Sequence, residues 1–172
     1  VLALQSIASR NVDPVSQVVV SVTAFETSSN AFNVIPPSVR LRGTVRTLSQ
    51  ETQDLAEARL KSVVQLTAEA MGATADVAYK RNYPVMVNSE SGTGHAKEAA
   101  VRVAGECGMA PLVMGGEDFA FMLNARPGAY ILVGNGDTAP VHHPEYDFND
   151  AAIPAGCSWF VEVAEERLPL SE

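Results

Sequence analysis

Two histidines stand side by side in a polar loop near the C-terminal end of the sequence. His142 and His143 follow an apolar segment with the pattern of a buried strand, and Glu145 and Asp147 come close behind them. Ligands of α/β proteins usually bind beyond the carboxyl ends of such strands, and imidazole is the commonest metal ligand. Adjacent residues of an extended segment point to opposite sides, so at most one of the pair can reach a given ion. From spacing alone, the favoured interpretation is two surface-loop histidines that contact only water.

A pair of glycines followed by two carboxylates is the second candidate, at a predicted strand-to-helix turn. Gly115 and Gly116 carry no side chains, so a ligand could approach this backbone closely. The helix predicted to follow would offer free N–H donors to an anion at its N-terminus. Glu117 and Asp118 are also ordinary first-turn residues that favour the helix dipole. A structural and a functional interpretation are therefore about equally supported.

An asparagine and an arginine in the first half of the chain form the third candidate. Asn33 precedes a Pro-Pro pair, and Arg46 ends the alternating segment that follows. Arginine can hold a carboxylate with two hydrogen bonds, and asparagine can add a directed one. Taken singly, Asn33 is typical of a turn and Arg46 of a solvated strand. The remaining candidates, His95, Cys107 and Cys157, have no partner at a useful spacing and are interpreted as surface or core residues.

The elements that position these residues fall into two halves. Residues 1–84 suit an α+β, ferredoxin-like unit, a split βαβ whose first strand is missing. The first apolar residue of the chain has no capping residue before it, so the first helix is expected to begin upstream. The predicted elements are a helix that ends before Asp13, strands over Val18–Phe25 and Val39–Arg46, a helix that is capped by Ser49, runs to Met71 and stops at Gly72, and a short strand over Ala75–Tyr79.

The second half, residues 85–172, has an α/β pattern. Its apolar segments are short and continuous, as in strands of a sheet that is covered on both faces. Alanines at helical spacing mark its first helix. The predicted elements are helices over Gly94–Cys107, Glu117–Leu123 and Ala151–Leu168, with Ile153, Cys157, Phe160, Val161 and Ala164 on the packed face of the last, and strands over Pro111–Met114 and Gly128–Gly134.

Composition narrows the classes of function. Of the 172 residues, 47% are hydrophobic and 19% are charged, enough apolar material for a packed core. The net charge is −8, which argues against nucleic-acid binding through a general phosphate-neutralising surface. The charge divides into +1 for residues 1–84 and −9 for the rest, which suggests a boundary near Pro84. No apolar run is long enough to cross a membrane, no signal peptide is visible, and two cysteines fit a reducing, cytoplasmic location.

Several short motifs together resemble the metal-dependent amidohydrolases and peptidases of family M20, especially its hippurate hydrolase and N-acyl-amino-acid amidohydrolase branch. The resemblance covers nearly the whole chain, and the order and spacing of the motifs make it specific. They are Asn11–Pro14, Asn33–Pro36, Arg42–Thr47, Met114–Phe119, Pro127–Ala129 and His142–Asp150.

The resemblance implies roles for single residues. His142 matches the C-terminal histidine that binds one of two metal ions, whereas His143 fills a position that relatives often give to asparagine. Asn33 and Arg46 match lid residues that contact the substrate, including its carboxylate. Gly115, Gly116 and Glu117 match a loop that lines the substrate pocket. No catalytic residue of the family matches a position in this chain.

The resemblance also implies an architecture. Residues 1–84 match a ferredoxin-like lid that is often used for dimerisation, and residues 85–172 match the C-terminal part of a di-metal α/β catalytic domain. The complete enzyme would use two divalent ions, Zn, Mn, Co or Ni, to hydrolyse the amide of an N-acyl amino acid or small peptide, and would form a homodimer. The other metal ligands and the general base lie upstream of the lid in the family, so this chain alone is expected to be inactive. The alternative is a non-catalytic binding or dimerisation module built from the same parts.

Overall fold

The computed structural model describes residues 1–168, which form two compact units. The first unit contains Val1–Val85 together with Met114–Gly116, and the second contains Met86–Val113 and the residues from Glu117 onward. Short helical turns lie at Leu2–Leu4, Ile7–Asn11 and Asp150–Ala152. The longer elements are β1 (Val18–Thr27), β2 (Val39–Thr47), α1 (Gln50–Ala70), α2 (Glu90–Ala104), α3 (Phe119–Ala125) and α4 (Ile153–Arg167).

The first unit is an antiparallel β-hairpin packed against α1 and the N-terminal helical turns. Strands β1 and β2 pair from Val18 opposite Thr47 to Thr27 opposite Val39, with a bulge after Val22. β-Branched residues are abundant in β1, and they favour this extended pairing. The core is small and apolar. Its buried members are Leu4, Ile7, Val20 and Ala56, and Val18, Val22, Val45, Leu60, Val63 and Val64 pack around them.

Helix α1 begins and ends where its sequence predicts. The Ser49 hydroxyl accepts a hydrogen bond from the Thr52 amide at 3.1 Å, which satisfies one of the free N–H groups of the first turn. After the last turn Gly72 adopts a φ of +71°, a conformation that glycine reaches without strain. The extended segment beyond it is fastened to α1 by Arg81, whose guanidinium contacts Asp54 and Glu57 at 2.6 Å each.

The second unit is built on the antiparallel helices α2 and α4. Ala96 and Ala99 are buried in α2, and the Trp159 indole of α4 donates to the Ala96 carbonyl at 2.9 Å. Arg102 of α2 pairs with Glu162 and Glu166 of α4. Helix α2 begins four residues earlier than its sequence pattern suggested, because the Ser89 hydroxyl caps the Gly92 amide at 3.1 Å.

Three segments predicted as strands form no strand pairing within residues 1–168. The segments 75–79, 111–114 and 128–134 are irregular, since a strand exists only through hydrogen bonds to a neighbour. The predicted packed face of α4 is also wrong in this structure, because Phe160 is 69% exposed and Val161 54% exposed. Within the same residues, no helix is both long and apolar enough to span a membrane.

Candidate active site

His142 occupies a tight turn rather than the extended segment expected from the sequence. The His143 amide donates to the Pro140 carbonyl at 3.0 Å, which closes a turn with His142 at its third position. The φ of His142 is +72°, as in a type II turn, whose third position is normally glycine. His142 is the only non-glycine residue with a positive φ among the described residues. Strained backbone of this kind is concentrated at functional sites.

The two histidine rings have different surroundings. The His143 Nδ1 accepts a hydrogen bond from the Glu145 amide at 3.1 Å, and the His143 carbonyl accepts one from the Tyr146 amide at 3.0 Å. Thus His143 is committed to the local turn. The His142 ring is exposed and makes no hydrogen bond or ion pair within residues 1–168, so both of its nitrogens are accessible.

The chain alone does not assemble a complete metal site around His142. A stable transition-metal site requires three or four protein donors at about 2.0–2.3 Å from the ion. Among the described residues, one group of three potential donors converges, His95, Glu98 and Glu166, and His142 is not a member. Glu166 in that group is already paired with Arg102, which lowers the pKa of its carboxyl. An imidazole with a free nitrogen suits a metal ligand, but here it supplies one donor only.

Arg46 is brought to the glycine pair that the sequence singled out. Its Nη1 donates to the Met114 carbonyl at 2.5 Å, although the two residues are 68 positions apart. The Tyr83 ring lies next to Gly116 in the same segment. A Cβ placed on Gly116 would lie 3.1 Å from the Cδ2 atom of Tyr83. The arginine, the tyrosine and the segment Met114–Gly116 all belong to the first unit.

A shallow cavity of about 420 Å³ lies in the first unit with Met114 in its wall. Val19, the cross-strand neighbour of Arg46, also lines it. The rest of the wall comes from the chain that enters β1, namely Ala8, Asp13, Pro14, Ser16, Gln17 and Val18.

Asn33 lies apart from Arg46. It occupies the exposed loop between β1 and β2, in a turn closed by the Val34 amide and the Ala31 carbonyl at 3.4 Å. This loop leads into the first residue of β2, whereas Arg46 is near its last, about 23 Å along the strand. No contact joins Asn33 to Arg46 in the described part of the chain, so the two are not brought together.

Glu117 belongs to the second unit, where it faces Tyr130. Burial and the negative charge of Glu117 raise the pKa of the Tyr130 hydroxyl. The anion-binding helix N-terminus expected here is not formed. Helix α3 starts at Phe119 and has only seven residues, and the amides of Ala120 and Phe121 in its first turn bond back to the Glu117 and Asp118 carbonyls.

Two contacts at this site were missed by the sequence analysis. The partner of Arg46 is a main-chain oxygen, which leaves no signal in the residue types. Tyr83 could have been noticed through Pro84, because a proline restricts the residue before it to extended conformations and so fixes the direction of the chain. Neither the main-chain partner of Arg46 nor Pro84 predicts which segment lies next to the tyrosine.

Comparison with known proteins identifies related chains. The family described as Peptidase family M20/M25/M40 matches residues 5–166. A hippurate hydrolase of Campylobacter jejuni is 33% identical over 172 residues, and an N-acetylcysteine deacetylase of Bacillus subtilis is 31% identical over 161. A crystal structure of a Bacillus subtilis protein, described as a dinuclear metal-binding peptidase of the M20 family, superposes with a TM-score of 0.78 at 28% identity.

The matches cover this chain far more completely than they cover its relatives. They include 98% of this chain but 44% of the hippurate hydrolase, and 94% but 42% of the deacetylase. The solved structure is matched over 99% of this chain and 46% of its own. The chain therefore spans less than half the length of the relatives it matches.

Proposed function

The chain belongs to peptidase family M20/M25/M40, and from this membership we propose that it is part of an amidohydrolase acting on N-acyl amino acids or small peptides. The resemblance seen in its motifs is thereby confirmed. The names of the two curated relatives, hippurate hydrolase and N-acetylcysteine deacetylase, support an N-acyl amino acid as the substrate.

The observation that carries this proposal is the exposed, left-handed turn at His142. We propose that its ring is one ligand of a di-metal centre whose other ligands lie outside this chain. When bound, the two divalent ions would activate water and polarise the amide carbonyl. His143 is engaged in the following turn, where its Nδ1 accepts a hydrogen bond from the Glu145 amide, whereas the neighbouring His142 ring is left available. The related crystal structure is described as that of a dinuclear metal-binding peptidase, which supports a centre of two ions.

Arg46 is proposed to bind the carboxylate of the substrate. The Met114 carbonyl accepts a hydrogen bond from Nη1, and a guanidinium has four further N–H donors, in a planar fork that matches a carboxylate. Gly115 and Gly116 present backbone without side chains next to this contact, which suits the approach of a small ligand. Glu117 is proposed to line a substrate pocket, as the resemblance implies.

A homodimer through the lid is part of the proposal. Strands β1 and β2 pair only with each other in the described residues, so each has an edge that another strand could join. The loop that carries Asn33 enters β2 at Val39, about 23 Å along the strand from Arg46, which is farther than one small acyl amino acid reaches. A second copy would allow Asn33 to contact a substrate held elsewhere. Sedimentation of the complete enzyme as a monomer would contradict this part of the proposal.

The decisive experiment compares two substrates in an active enzyme that contains this chain. Arg46→Ala should lower kcat/KM for hippurate about 10- to 100-fold, the effect of one lost charge-assisted hydrogen bond. For hippuramide, which lacks the carboxylate, kcat/KM should fall much less. Arg40→Ala is the matched control, because Arg40 lies on the same strand and is also exposed. Equal losses for both substrates would contradict the carboxylate assignment.

The alternative, a non-catalytic binding or dimerisation module, predicts a different result. This chain contributes a single proposed metal ligand, which favours such a module over an enzyme whose active site is formed by this chain alone. Hippurate would then bind to the longer protein without being cleaved, at any metal concentration.

A further inference from the structure

In the sequence, the segment Met114–Gly116 lies between two stretches of the second unit, yet it packs with the first unit. Two contacts hold it there. One is the hydrogen bond from Arg46 to the Met114 carbonyl, and the other is the Tyr83 ring against the open face of Gly116. Because Gly116 carries no Cβ, the ring lies close to the backbone, and an added Cβ 3.1 Å from its Cδ2 atom would require the ring to shift.

Tyr83 is itself held from both sides along the chain. Two residues earlier, Arg81 forms ion pairs with Asp54 and Glu57 of α1. The next residue is Pro84, which confines the Tyr83 backbone to extended conformations. The ring therefore provides a fixed surface, whereas two adjacent glycines alone would leave the Met114–Gly116 segment free to move.

This arrangement determines how well Arg46 is oriented. Arg46 is an exposed side chain on a strand, and a long side chain in that setting samples many rotamers. The Met114 carbonyl selects among them, but only if the carbonyl itself is held in place. Ordering a side chain before a ligand arrives removes that entropic cost from binding.

We propose that Tyr83 is a positioning residue for Arg46, acting through the Met114–Gly116 segment to orient the guanidinium toward a carboxylate ligand. This inference rests on the proposed function of Arg46 as the carboxylate-binding residue. Tyr83 itself is not proposed to touch the substrate.

The kinetic test uses an active enzyme that contains this chain, with hippurate and hippuramide as substrates. Tyr83→Ala should raise KM for hippurate about 2- to 10-fold, the factor that corresponds to ordering one long side chain, with little change in kcat. The KM for hippuramide should stay within about twofold. Tyr83→Phe keeps the ring and should behave as the parent enzyme. Added to Arg46→Ala, Tyr83→Ala should have no further effect on hippurate.

A second measurement separates this proposal from the proposed function. NMR relaxation of the Arg46 Nε–Hε group reports its order directly, without any substrate. The order parameter should fall in Tyr83→Ala and stay unchanged in Tyr83→Phe. An unchanged order parameter in Tyr83→Ala would overturn the positioning role, whatever Arg46 binds. If the order falls but hippurate and hippuramide respond equally, the positioning role stands and the carboxylate assignment fails.

Discussion

His142 adopts a backbone conformation that glycine would adopt without strain. A non-glycine residue held in the left-handed region costs about 1–3 kcal/mol, and such residues persist where the surrounding structure enforces them. The sequence indicated the loop and one histidine as ligand, but not the turn, because a left-handed residue other than glycine has no compositional signal. The structure adds the physical difference between the two rings, one free and one engaged.

Replacing His142 by glycine should separate stability from metal binding. In His142→Gly the free energy of unfolding should stay the same or rise by up to about 1 kcal/mol, because relief of strain offsets the greater freedom of glycine when unfolded. In an active enzyme that contains this chain, the same change should lower metal content and activity together. Thermal unfolding and elemental analysis measure the two effects. A clear loss of stability with full metal content would contradict the ligand role.

His143→Asn is the matched control for His142. The asparagine Oδ1 can accept the Glu145 amide in an Asx turn, in place of the His143 Nδ1. This variant should therefore keep the turn, the metal and most of the activity.

At the scale of elements, the β-hairpin depends on one close backbone approach. Gly43 of β2 lies so near β1 that an added Cβ would be 2.1 Å from the Ser21 carbonyl oxygen. Because that neighbour is backbone, relief requires the strands to separate just before the bulge after Val22.

Gly43→Ala should destabilise the first unit by about 1–3 kcal/mol, the usual cost of overpacking. The matched control is Gly94→Ala in α2, where nothing lies within 4 Å of the added Cβ. That change should stabilise by about 0.5–1 kcal/mol, because alanine favours a helix. Chemical denaturation of both variants measures the difference, and equal midpoints would contradict the close approach.

The stability that the ion pairs between α1 and the segment after it contribute should depend on pH. Hydrogen bonds from Gln50 and Arg81 lower the pKa of Asp54, and those from Lys61 and Arg81 lower that of Glu57. Groups with a depressed pKa in the folded state stabilise the fold above their unfolded values, and this effect is lost as the pH falls.

Arg81→Met should therefore lower Tm at pH 7, and the difference from the parent chain should shrink below about pH 4 as both carboxylates become protonated. Arg59→Met is the control, because Arg59 is exposed on α1, the helix that Arg81 contacts, and forms no ion pair in the described residues. A Tm difference for Arg81→Met that is independent of pH would show that the stem of the side chain, rather than its charge, matters.

The elements that were predicted correctly are those that local physics determines. The Ser49 cap, the Gly72 stop and the alternating pattern of β2 are short-range features of this kind. The segments 111–114 and 128–134 have the composition of strands, but a strand also needs a neighbour, and composition cannot say whether one is present. The same limit applies to α4, whose apolar residues have helical spacing and yet remain exposed.

At the scale of the whole molecule, the chain exposes an unusual amount of surface. Its accessible area is 13073 Å². A monomeric protein of this mass exposes about 8,100 Å², and two separate units of half the mass about 9,800 Å². Part of the excess is apolar, including Leu112, Leu132 and Phe160.

The isolated 172-residue chain should therefore bind a hydrophobic dye such as ANS in its folded state and associate as its concentration rises. Dye fluorescence and light scattering over a concentration series measure both. Near-ultraviolet circular dichroism shows whether tertiary packing is retained, which distinguishes a folded chain with open faces from a molten globule. A monodisperse chain that binds no dye would contradict the exposed surface.

The assignment of Met114–Gly116 to the first unit has a consequence for biosynthesis. Ribosomes release the chain from its N-terminus at about 5–20 residues per second, and domains generally fold in that order. The hairpin and α1 leave the exit tunnel before this segment, which is about thirty residues after Tyr83 and 68 residues after Arg46, a delay of seconds. During that interval the first unit is a nascent intermediate, and its completion is tied to translation of the second.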